Sequence, residues 1–129
     1  MTQEKKQLLF TDLCTRLPYE VKGLHRGKVH ELFTIDGRET NNACIQVDGY
    51  NAWFPIETFM PYLRSMSSMT DEEFKEYHSM LIDVDNSGLM NQGLITKIVD
   101  WLDRKMFDHR NLVLKSLALE APEGMYKTE

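Results

Sequence analysis

The spacing of hydrophobic and polar positions changes three times along this chain, and each change marks an element. Over residues 4–16, Leu8, Leu9, Leu13 and Leu17 fall close to one face at 3.6 residues per turn, which predicts a packing helix. Lys5, Lys6 and Asp12 fall mostly off that stripe. Pro18 ends the helix, because it disfavours the α region at Leu17 and lacks a backbone donor.

From Tyr19 to about Arg64 the period becomes two. Val29, Glu31, Phe33 and Ile35 alternate with His30, Leu32, Thr34 and Asp36, so the first set predicts the mainly apolar face of a strand. Asp36-Gly37 and Asp48-Gly49 are turn dipeptides of the kind that supply positive φ in hairpins. Between them Ala43, Ile45 and Val47 alternate with Cys44, Gln46 and Asp48. Trp53, Phe54 and Ile56 predict another strand, closed by Pro55 and a Glu57-Thr58 turn. Pro61-Tyr62-Leu63-Arg64 reads as a short edge strand, where a proline is tolerated. Short strands joined by tight turns predict a curled antiparallel sheet and allow a small barrel of the SH3-like or OB kind.

At Thr70 the pattern turns helical. Thr70-Asp71-Glu72-Glu73 is a capping box, in which the threonine hydroxyl accepts from the Glu73 amide while Glu73 reaches back. Phe74, Tyr77, His78, Leu81 and Ile82 then recur at helical spacing. A second helix is predicted from about Gly93 to Phe107, with Leu94, Ile95, Ile98, Val99, Leu102 and Met106 on one face. Residues 112–119 are apolar in bursts without a clean period, and Pro122 and Gly124 lead into a polar tail expected to fray. The prediction is a single α+β domain over residues 1–129, with its sheet at about 19–64 and a helical pair at about 70–119.

Composition narrows the function classes. Hydrophobic residues make up 42% and charged residues 27%, as in an ordinary globule. A net charge of −5 argues against a nucleic-acid coat or a membrane-surface protein. The apolar patch at Leu8 to Phe10 is too short for a signal-peptide core. Cys14 and Cys44 lie far apart with no Cys-x-x-Cys, which reads as reduced thiols in a cytoplasmic protein.

Candidate chemistry is sparse. Residues 83–88, Asp-Val-Asp-Asn-Ser-Gly, copy the opening of a calcium loop, with Asp83, Asp85, Ser87 and Asn91 as possible oxygen donors. Loop position 12 falls on Leu94, which cannot coordinate a hard cation, so a helix-ending turn is the expected reading. His25, His30, His78 and His109 lack zinc-site spacing, and no metal or cofactor is expected. A partly buried, satisfied ring is the expectation for His78. A cysteine nucleophile at Cys14 or Cys44 has no motif behind it, and no phosphate-binding or nucleophile-elbow pattern occurs, so no enzymatic activity is expected. Basic residues Arg16, Lys22, Arg26 and Lys28 cluster early, whereas residues 67–103 are rich in acids. With Tyr50 and Trp53 as stacking rings, the basic cluster defines a nucleic-acid-binding alternative. Trp53 and Phe54 are adjacent, so one of them must face the core.

Several strings resemble a family of uncharacterised small proteins from gut Bacteroidales genomes, including prophage and other mobile-element regions. They are Asp12-Leu13-Cys14-Thr15-Arg16-Leu17-Pro18-Tyr19, residues 61–70 from Pro61 to Thr70, Asp100-Trp101-Leu102, Phe107-Asp108-His109-Arg110 and residues 117–126 from Leu117 to Tyr126. The resemblance covers most of the chain except residues 83–93 and implies a bacterial, cytoplasmic accessory protein. It carries no catalytic or cofactor residue. The sequence thus leads to a non-enzymatic protein-interaction protein of a prophage or mobile element. Its surface is expected on the acidic helical half or on an exposed aromatic patch.

Overall fold

The computed structural model of the chain describes residues 1–37, 43–86 and 92–126. Helix α1 (Gln3–Arg16) is capped by Thr2, whose hydroxyl accepts the Lys5 N–H at 3.2 Å. Strands β1 (Lys22–His25), β2 (Lys28–Asp36), β3 (Cys44–Val47), β4 (Phe54–Pro55) and β5 (Phe59–Leu63) follow, then helices α2 (Asp71–Asn86) and α3 (Gln92–Arg104) and strand β6 (Leu119–Glu120). The sheet runs β4-β3-β2-β1-β5-β6, antiparallel throughout except for the parallel β5–β6 pair. The α+β class is therefore the observed one. Because β4 and β6 stand at opposite ends of that order, the described strands form an open sheet.

Helix α1 lays Leu9 and Leu13 on one sheet face, where they meet Val21, Leu32, Ile45, Val47, Ile56 and Phe59. Leu63, Leu112, Leu117 and Ala118 form a smaller core beneath the C-terminal segment. Ile98, Trp101, Leu102 and Phe107 form a third, against which Met66, Met69, Tyr77, Met80 and Val84 pack.

Several expectations are corrected. The apolar face predicted for β2 is inverted at its start: Val29 and Phe33 are 52% and 72% exposed, while Leu32 is buried. Leu32 pairs with Val47 and Thr34 with Gln46, so Phe33 is the extra residue of a β-bulge. The bulge resets the parity, which is why Leu32 and Ile35, three apart, both contact the core. Strand β5 is not an edge, since β1 pairs on one side and β6 on the other. The β1–β2 hairpin turns on Arg26 and Gly27, at φ 51° and 79°, a two-residue turn that the Asp-Gly pattern does not reveal. Gly49 has the predicted positive φ, but Gly37 does not; a Cβ at Gly37 would run into the Phe10 ring.

The helices bring further differences. Asp12, placed off the apolar stripe, is fully buried. Of the stripe predicted for α2, Tyr77 packs inward, whereas Phe74, Leu81 and Ile82 are exposed. Helix α3 stops at Arg104 rather than near Phe107. There the Met106 and Phe107 amides bond back to the Asp103 and Leu102 carbonyls, with Met106 at φ 63°. The tail is anchored rather than frayed as far as Tyr126, whose hydroxyl meets the Lys22 and Tyr62 backbone.

Candidate functional site

Three groupings of chemistry-bearing residues stand out, and the first is buried. Asp12 accepts from Arg16 Nε at 2.9 Å and Nη2 at 3.0 Å, and from Arg110 Nη1 at 2.7 Å. Asp103 accepts from Arg110 Nη1 at 3.0 Å and pairs with His109 Nε2 at 2.8 Å. Arg16 also donates to the Phe107 carbonyl at 2.8 Å. Burial alone would raise the Asp103 pKa, but His109, Arg110 and Arg16 outweigh it and hold the carboxyl at about 2. A second buried pair repeats the logic: Glu73 accepts from both terminal nitrogens of the Arg64 guanidinium, at 2.7 and 2.8 Å. Burial pushes Glu73 up, yet Arg64 and the Thr70 N–H bring it down to about 2. The Thr70–Glu73 capping box is formed as predicted, with bonds of 3.0 and 3.1 Å. These charges are spent on one another. The first set fastens α1, α3 and the 107–110 segment together, and the Arg64–Glu73 pair ties the end of β5 to α2.

The second grouping lies at one end of the sheet. The β1–β2 turn brings Arg26 and Lys28 to the same end as the loop after β3, which carries Tyr50 and Trp53. Tyr50 packs edge-on to His30 at 5.3 Å and to Phe54 at 5.6 Å, and the Arg26 guanidinium lies over Phe54 at 4.6 Å. Trp53 is 49% exposed and Phe54 8%, so Phe54 is the core ring and Trp53 the surface ring. Four members of the nucleic-acid alternative, Arg26, Lys28, Tyr50 and Trp53, thus share one exposed end. Two do not join them. Arg16 is fully buried in its ion pair, and Lys22 turns toward the tail, with its ammonium 3.2 Å from the Met125 carbonyl.

The third is helix α2. At about 100° per residue, Leu81, Phe74, His78 and Ile82 occupy one arc of roughly 100°. The adjoining side, about 120° away and carrying Glu73, Tyr77, Met80 and Val84, faces α3 and the core. Phe74 is 58% exposed and stacks on His78 with an interplanar angle of 6°. His78 is therefore a surface ring and not the half-buried one expected from the sequence. Around this arc Asp71, Glu72, Glu76, Asp83 and Asp85 are all exposed, with Lys75 the basic residue of the helix.

The remaining candidates do not assemble. Asp83 and Asp85 lie within α2, two residues and therefore about 200° apart, so their carboxylates diverge. Ser87 and Asn91 fall outside the described residues. Cys14 lies on the surface of α1, where desolvation pushes its thiol pKa up, opposite to the shift a nucleophile needs. An open cleft of about 620 Å³ lies beside the tail, lined by Arg64, Thr70, Glu120 and Tyr126, but its arginine is already held by Glu73. No helix among the described residues is long and apolar enough to cross a membrane.

Only burial distinguishes the α2 arc and the Phe33 bulge from ordinary core positions, so periodicity alone could not find them. Comparison with protein-family models, with curated proteins and with solved structures returned no match.

Proposed function

We propose that the protein acts without catalysis, by binding another protein through the exposed flank of α2. One observation carries this reading: α2 has two apolar faces, and only one is used by its own fold. Surplus apolar surface of this kind, rimmed by polar residues, marks interaction sites. The five exposed acids specify the partner's chemistry, an amphipathic segment with apolar anchors and lysine or arginine beside them. The outer sheet face is the weaker rival, because Leu24 and Met60, in register with exposed Val29, are themselves half-buried. An accessory role in a bacterial prophage or mobile element, in the cytoplasm, fits this reading and the string resemblances noted in the sequence.

Peptides selected from a display library against the folded protein provide the test. The expected binders are basic and amphipathic, their amide shifts map to residues 71–85, and Phe74→Ser with Ile82→Ser abolishes binding. Both changes are at exposed positions, so stability should move by no more than about 0.5 kcal/mol for each, about 1 kcal/mol together. Binders that map elsewhere, or that survive the double substitution, overturn the proposal.

The second reading, nucleic-acid binding, draws on Arg26, Lys28, Tyr50 and Trp53 at one end of the sheet. Single-stranded DNA or RNA that shifts those residues at physiological salt, and loses affinity with Trp53→Ala, would place it first.

A further inference from the structure

Two exposed apolar surfaces of this chain carry opposite charge. The first is the α2 arc, with Phe74 toward one end and Ile82 toward the other. Acids stand at both ends of it, Asp71 and Glu72 before Phe74 and Asp83 and Asp85 after Ile82. The second is the outer face of the β1–β2 hairpin. Val29 and Phe33 are exposed there, and half-buried Leu24 stands opposite Val29 in the ladder, with Met60 on its other side. The hairpin turns on Arg26 and Gly27, so exposed Arg26 and Lys28 lie at its tip, next to Val29 in the chain. Glu31, an acid on the same face, stands opposite Lys22, which offsets its charge. A hairpin with two apolar anchors and a basic tip is an amphipathic segment of the kind that the α2 flank selects.

We propose that the partner of α2 is a second copy of this chain, whose β1–β2 hairpin lies along the α2 arc. The inference rests on the reading of α2 as a docking flank and names its occupant. Spacing supports the match. From Phe74 to Ile82 the helix advances about 12 Å, at 1.5 Å per residue. From Val29 to Phe33 the strand advances about 13 Å. Two anchors on each partner therefore fall opposite one another. Charge supports it as well, because a carboxylate pair at each end of the arc meets the Arg26–Lys28 tip whichever way the hairpin runs. Two α2 flanks face to face would instead crowd like charges, which disfavours that pairing. The net charge of −5 opposes any approach of two copies. The contact is accordingly weak, with an expected Kd between about 1 µM and 1 mM.

Sedimentation equilibrium of the whole chain, carried up to about 1 mM, is the experiment. The average mass is expected to rise with concentration above the 15.1 kDa of one chain. Phe74→Ser with Ile82→Ser should stay monomeric, and so should Val29→Ser with Phe33→Ser. An equal mixture of these two variants should form pairs, because each complex then keeps one intact contact. All four positions are exposed, and amide dispersion checks that both variants are folded. Lys28→Glu spares the apolar anchors and should weaken association roughly fivefold. Association indifferent to Lys28→Glu overturns the charge match and the proposal with it. Self-association retained by either double variant alone means that like surfaces pair, and also overturns it. A chain that stays monomeric at the highest concentration overturns the second copy as partner. Binders selected from the display library would then still map to α2, so the two readings fail separately.

Discussion

At the scale of single residues, the decisive groups are charges that the fold hides. In the sequence Arg16 belongs with the basic cluster and Asp12 with the polar side of its helix. Their burial depends on partners about ninety residues away, Asp103, Phe107 and Arg110, and local spacing carries no trace of that. Replacing Arg16 by Met removes two of the three hydrogen bonds that buried Asp12 accepts and leaves it to Arg110 alone. Because Arg110 still compensates the carboxylate, the expected loss is about 2–3 kcal/mol, below the range for a wholly uncompensated buried charge, measured as a lower urea midpoint at pH 7. The acid limb of the stability curve follows from Glu73 and Asp103, which drop from 4.5 and 3.8 to about 2 on folding. A lowered folded-state pKa means that the unfolded chain takes up protons first. Their stabilisation is therefore complete above the unfolded values and is lost as pH falls from 4.5 toward 2. Urea midpoints should decline across that window, and Glu73→Gln should remove its share of the slope. A slope unchanged by the substitution would show that Arg64 does not hold Glu73 in solution.

At the scale of elements, period was a good guide to existence and a poor one to facing. The capping box at Thr70 was legible because all its atoms lie within four residues. The β2 strand was legible as a strand, but its inward face was not, because one extra residue at Phe33 exchanges the two faces midway. Helix α2 was legible as a helix, yet which of its apolar arcs is covered depends on α3, and periodicity is silent on that. The bulge yields a sharp prediction. Deleting Phe33 leaves Leu32, Thr34 and Ile35 consecutive, already paired in order with Val47, Gln46 and Ile45. Since Phe33 is exposed and unpaired in the ladder, the shortened protein should fold in the same register, with stability altered by about 1 kcal/mol or less. Amide chemical shifts confined to residues near the deletion would confirm it. Global loss of dispersion would mean that the bulge is required for the sheet.

At the scale of the whole molecule, the open sheet needs its far end closed, and the C-terminal segment does this. Arg64 bonds through its backbone to both Met106 and Asp108, and the Ala121 amide reaches the Leu63 carbonyl. Tyr126 completes the closure: its hydroxyl accepts the Lys22 N–H at 3.0 Å and lies 2.7 Å from the Tyr62 carbonyl and 3.1 Å from that of Lys22. Burial pushes this phenol up to about 12, so it stays a donor across the physiological range. Nothing in the polar sequence around Pro122 and Gly124 announces an anchor, because its partners belong to β1 and β5, far upstream. Tyr126→Phe keeps the ring and removes only the oxygen, leaving the Lys22 N–H without its acceptor. The expected cost is about 1–3 kcal/mol. The Lys22 amide should lose hydrogen-exchange protection, while Trp101 and Leu102 in α3 keep theirs. An unchanged Lys22 amide would restore the frayed tail that composition suggests. Loss confined to β1 and β5 would instead establish that a single phenol joins the C-terminal segment to its sheet.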